Sequence, residues 1–159
     1  MKMKNRGFTL IELLVVVGII ILLMGSSILA LSNYTDRRKA LSDARLVVDH
    51  LRAVRIKATA VEVPAVCING VANYTVTFSG PTIMTTANCS GGGSEVGPAV
   101  VLGNSSFKVL PTLVFVVGDG GIGNVQTVSI CGNGFGYSVD VAAGGMVAQP
   151  RSDDAVCSL

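Results

Sequence analysis

Residues 2–31 read KMKNRGFTLIELLVVVGIIILLMGSSILAL, and this stretch decides the class of the whole chain. From Phe8 to Leu31 there are 24 residues and a single charge, Glu12. As a helix rising about 1.5 Å per residue the run spans ~36 Å, enough for the ~30 Å hydrocarbon core of a bilayer. Lys2, Lys4 and Arg6 precede it and are expected to stay on the cytoplasmic side while the rest crosses. A secretory signal peptide opens in the same way, but its apolar region is only about 7–15 residues long and ends at a small-residue cleavage site. Here the run is longer, no convincing Ala-x-Ala junction closes it, and an acid sits near its start. A carboxylate inside an apolar helix is costly unless paired or neutralised, so such residues tend to be functional. The blander reading of Glu12 is an interfacial residue that reaches the headgroups.

In this order, the basic leader, Gly7-Phe8-Thr9-Leu10-Ile11-Glu12 and the apolar run resemble the processing site of type IV pilins and pseudopilins. The resemblance implies that a prepilin peptidase cuts after Gly7 and that the new terminal Phe8 is N-methylated. It also implies that Glu12 sets the register of subunits in a filament. Physically, Glu12 of one subunit can pair with the α-amino group of Phe8 on a neighbour, which removes two charges from lipid together.

Outward from this segment the charge is uneven. Without the three leader bases, nine Lys and Arg face ten Asp and Glu, a balance of −1. Asp36 to Lys57 holds seven bases against three acids, or +4, whereas only Lys108 and Arg151 oppose six acids from Ala58 onward, or −4. A basic stalk joined to an acidic head is not the footprint of a general nucleic-acid binder. Half of the 159 residues are hydrophobic and 14% are charged, which excludes disorder, and one chain of this size is one domain's worth of material.

Tyr34, in Ser32-Asn33-Tyr34-Thr35, suits the membrane interface. Leu41, Ala44, Val48, Leu51, Val54, Ala58 and Val61 then recur at spacings of three and four, one stripe of an amphipathic helix. With no proline from Phe8 to Val63, one helix from about Phe8 to Ala60 is predicted, weakest at Gly25-Ser26-Ser27. From Val63 the period changes to two, predicting strands at Val63–Ile68, Tyr74–Ser79, Ser106–Leu110, Leu113–Val117, Val125–Cys131 and Phe135–Val141. Ser90 to Pro98 reads as a flexible surface loop. The expected layout is a leader at 1–7, a transmembrane or filament-core helix at 8–31, an amphipathic helix at 32–61 and a β-rich head at 62–159. This α+β plan, one long N-terminal helix on an antiparallel sheet domain, is pilin-like.

Within the family, Leu46 to Ala58 followed by Val66-Cys67-Ile68, with Val128-Ser129-Ile130-Cys131 later, resembles minor pilins and pseudopilins of GspH/FimT type. DNA-uptake members of that group carry a Gly-Arg-x-Arg element near the C-terminus. The corresponding stretch here, Gly145-Met146-Val147-Ala148, lacks those arginines, so DNA is a possible partner but not a favoured one. The partners the resemblance implies are prepilin peptidase, other subunits of the filament and the inner membrane, with the head in the periplasm and then on the filament. Such a compartment favours disulfides among Cys67, Cys89, Cys131 and Cys157. Of three connectivities, Cys67–Cys89 with Cys131–Cys157 is preferred because it ties down the Gly-rich loop and the C-terminal tail. Free buried thiols are the alternative.

Candidate chemistry is sparse. The cysteine spacing is wrong for zinc. Gly118 to Asn124 offers one carboxylate and one amide, too few oxygens for calcium, and reads as a turn; Asp153-Asp154 is the better calcium candidate. His50, the one histidine, is flanked by Asp49, and adjacent helix positions point apart. No nucleophile pattern is present. The expectation is a structural filament subunit, not an enzyme and without a cofactor. A tip module contacting DNA or a surface through Arg37 to Lys57 is the competing reading.

Overall fold

The structure, a computed structural model, describes residues 9–158, with the backbone alone described for 23–30. Gly7 and Phe8 therefore lie outside the described residues. The chain divides into two compact units, Met1–Thr35 and Asp36–Leu159.

The first unit is helical. Helix α1 (Leu10–Thr59) begins here and is unbroken in its backbone at Gly25-Ser26-Ser27. Every described side chain from Leu10 to Leu22 is exposed within the monomer. Among the described residues no helix is long and apolar enough to cross a membrane. The expected span Phe8–Leu31 falls in part on Phe8 and on side chains 23–30, outside that description.

The second unit holds the remainder of α1 and two antiparallel sheets. Strands β1 (Val71–Ser79), β2 (Thr82–Cys89), β3 (Ser94–Val96), β4 (Val100–Val101) and β6 (Leu113–Val116) form one sheet. Its order is β3-β2-β1-β6, with β4 also pairing with β2. Strands β5 (Ser106–Val109), β7 (Gln126–Gly132), β8 (Phe135–Val141) and β9 (Arg151–Ser152) form the other in that order, and a 3₁₀ helix (Asp154–Ser158) follows. Local chemistry fixes the hairpins. Asn133 and Gly134 join β7 to β8 at φ 52° and 83°, both left-handed, and an Asn-Gly pair suits such a two-residue turn. Gly80-Pro81 joins β1 to β2, with Gly80 at φ 56°.

One core unites these elements. Ala40, Ala44, Val47, Val48, Leu51, Val54 and Ala58 of α1 are buried with Val76, Phe78, Ile83, Leu113 and Phe115 of the first sheet and Val128, Ile130, Val139 and Val141 of the second. The stripe is legible in the sequence except at its ends and at Val47: Ala40 and Val47 are buried as well, Leu41 is only partly so, and Val61 is half exposed. The helix stops at Thr59 and Val61 takes φ 52°. The Glu62 N–H donates to Lys57 C=O (3.0 Å) and the Val61 N–H to Ala58 C=O (3.4 Å), a Schellman-type cap with valine where glycine is usual.

The expected strand Val63–Ile68 does not form. Pro64 and Cys67 instead accept turn bonds from the N–H groups of Cys67 and Gly70, both at 2.9 Å, and Val66 and Ile68 are exposed. Strand β2 was not expected at all; its Thr-rich run is paired along its length with β1. The expected loop Ser90–Pro98 is a turn, with Gly92 and Gly93 at positive φ, followed by β3, which uses the free edge of β2.

The cysteines are joined as Cys67–Cys89 (Cα–Cα 5.0 Å) and Cys131–Cys157 (5.2 Å). The first fastens the post-helix turns to the end of β2. The second fastens the 3₁₀ helix to β7, and Val156 of that helix is buried.

Candidate functional site

The motif region starts at a helix cap. The Thr9 hydroxyl accepts the Glu12 N–H at 3.3 Å, and the Thr9 carbonyl accepts the N–H groups of Glu12 (3.1 Å) and Leu13 (3.2 Å). Thr9-x-x-Glu12 is a capping-box pattern, a signal that sits inside the sequence motif and that sequence reasoning passed over. Glu12 thus occupies the first helical turn, where the helix dipole favours an acid. Around it Leu10, Ile11, Leu13 and Leu14 are 62–83% exposed. An apolar surface of that extent needs a cover, from lipid or from other helices.

In the head unit the sequence candidates are placed apart from one another. His50 Nε2 lies 2.8 Å from Thr85 Oγ1, so a β2 hydroxyl and not Asp49 orients the ring. Burial, and then the charge of Lys57, holds its pKa below the ordinary 6.5. His50, Lys57, Glu62, Tyr74, Thr85 and Glu95 contribute to a cavity of about 310 Å³ at one flank of α1. The Tyr74 hydroxyl donates to the Glu62 carbonyl, and burial and then nearby Glu62 push its pKa up. Lys57 pairs with Glu62 at 3.6 Å.

The calcium candidates are held by protein donors. Asp119 accepts the Gly121 N–H (2.8 Å), Asp153 accepts the Ser138 hydroxyl (2.9 Å) and Asp154 accepts the Gly136 N–H (3.2 Å). Among the described residues no group of three or more acids, histidines or cysteines could hold a metal.

Of the basic stretch, Lys39 pairs with Asp36 (3.4 Å) and Arg52 donates to the Val147 carbonyl (3.1 Å). Arg52 and Arg55 therefore abut the Gly145–Ala148 segment, which has no arginine of its own. Asp43, buried on α1, accepts the Asn104 N–H at 2.9 Å and tethers the β4–β5 loop to the helix.

No curated protein and no solved structure matches the chain. Residues 2–28 match the prokaryotic N-terminal methylation motif. The chain carries a type IV pilin-like prepilin signal at its N-terminus, ahead of an α+β head.

Proposed function

We propose that the protein is a structural subunit of a type IV pilus or pseudopilus filament, a minor one, cut after Gly7 and methylated at Phe8. Before assembly it sits in the inner membrane by its N-terminal helix with the head in the periplasm; afterwards the helices bundle in the filament core. The observation that carries this reading is the methylation motif itself, followed by a helix whose described residues from Leu10 to Leu22 are exposed. Those side chains gain their stability only in lipid or against one another. Glu12 is the one charge in that segment, and pairing it with the terminal amine of a neighbour satisfies both charges in a low-dielectric core.

Glu12→Ala is the test. Membrane insertion should be unchanged while recovery in sheared filaments is lost. Normal incorporation of the variant would remove the registry role.

A further inference from the structure

Two charged groups of the head unit, Arg55 and Glu95, lie on different flanks of α1. Arg55 Nε is buried and has no hydrogen-bond partner among the described residues. A buried donor left unmade is a standing cost and calls for a reason. Arg55 lines a cavity of about 350 Å³ together with Arg52 and Met146, and no acid lines it. At 100° per residue Arg37, Arg38, Arg45, Arg52 and Arg55 fall within an arc of roughly 100° on the helix, so guanidinium groups run along this flank.

The acids of the head tell the complementary story. Glu62 is held by Lys57, Asp119 by Gly121, Asp140 by the Thr127 hydroxyl, Asp153 by Ser138 and Asp154 by Gly136. Of the acids after Ala58, Glu95 is the exception: among the described residues it makes no hydrogen bond and no ion pair. It sits on β3, the outermost strand of its sheet, beside the His50 cavity on the other side of α1. By helix geometry the Arg52–Arg55 face and the His50–Lys57 face are roughly 180° apart.

We infer that the Arg52–Arg55 flank of one copy receives Glu95 of a second copy of this chain. A carboxylate on the guanidinium groups that line this cavity is a charge-assisted, geometrically specific pair. The charge balance fits: +4 on Asp36 to Lys57 against −4 on everything after it. Because the two surfaces are different patches of one molecule, the contact is heterologous and repeats from copy to copy instead of closing as a two-fold dimer. The inference rests on the filament reading and adds to it a head-to-head contact.

The test is disulfide trapping in the full-length protein in its own membrane. Arg55→Cys combined with Glu95→Cys should give, on mild oxidation, a ladder of dimers, trimers and higher species. Each single substitution should give no ladder. Dimers alone, or no cross-link, overturn the contact. Charge reversal supplies an arm without new cysteines. Glu95→Arg should cut the assembled fraction about ten-fold, since like charges then meet across the contact. Adding Arg55→Glu should restore it. Assembly unaffected by Glu95→Arg overturns the inference while the filament reading stands if wild-type chains pellet as filaments; if wild-type chains form none, both fall. Duplex DNA retained by the wild type in a salt-dependent way, and lost in Arg52→Gln/Arg55→Gln with no ladder in the cysteine pair, would assign the flank to phosphates and overturn it too.

Discussion

Val61 shows how one residue ends a helix against its own preference. Its φ of 52° is left-handed, where a β-branched side chain is a steric outlier, yet the cap bonds to Lys57 and Ala58 and the Tyr74 hydroxyl on Glu62 hold the corner. Left-handed backbone costs roughly 1–2 kcal/mol for an L-residue, and Val61 buries little in return, so Val61→Gly should stabilise the head by about 1 kcal/mol net. A lower melting temperature for the variant would contradict this. His50 gives a pH dependence of definite sign. Its folded-state pKa lies below 6.5, so in that window the unfolded chain binds more protons and stability rises with pH. The contribution is complete above about 6.5 and is lost as pH falls from there through the folded value. Melting temperatures of the detergent-solubilised protein between pH 7.5 and pH 5 should therefore fall more steeply for wild type than for His50→Gln, which keeps a partner for Thr85; parallel curves would contradict it.

At the scale of elements, what was legible and what was not divide along physical lines. Helix α1 was legible because its apolar stripe repeats over five turns and nothing breaks it before Pro64. Strand β8 was legible to the residue, because Asn133-Gly134 marks its start and Val-rich alternation its body. Strand β2 was missed because Thr82 to Cys89 carries few large apolar residues; its strand character comes from threonines paired to β1, a tertiary property. Val63–Ile68 was misread because β-branched residues suggest a strand wherever they occur, whereas Pro64 lacks an N–H and the Cys67–Cys89 bond fastens the segment as turns. Thr9 was passed over because the motif drew attention to Glu12 alone, although the cap is local chemistry readable from Thr-x-x-Glu. The cavities of Arg55 and Glu95 were not legible, for they join residues far apart in sequence. The C-terminal tail supplies the element-scale prediction. Cys131–Cys157 closes a separation of 26 residues, and Val156 and the Asp153–Ser138 bond dock the tail on β8. Replacing both cysteines by alanine should cost about 3 kcal/mol and expose the tail to protease before the rest of the head. Uniform cleavage kinetics, identical to wild type, would contradict it.

At the scale of the whole molecule, the proposed insertion, processing and assembly would all act through the first 31 residues. A side chain at Gly7 should obstruct the peptidase, which approaches the backbone closely there. Gly7→Leu should therefore accumulate as an uncut precursor, inserted and correctly oriented, in which Lys2, Lys4 and Arg6 stay attached to the helix. The terminal amine is then displaced from Phe8, so Glu12 would lose its proposed partner and three like charges would have to enter the core. Immunoblots should show precursor in membranes and none in sheared filaments; variant filaments would contradict this. In the proposed filament the N-terminal segment is a prepilin signal, retained as a filament helix after its leader is removed. This is tested most directly by mass spectrometry of the N-terminal peptide of the mature protein from membranes or filaments. The expected result is a terminus at Phe8 carrying an extra mass of about 14 Da for one methyl group. A terminus near Ala30, as a secretory peptidase would leave, would contradict it and make the chain a secreted head domain that keeps only the later part of α1.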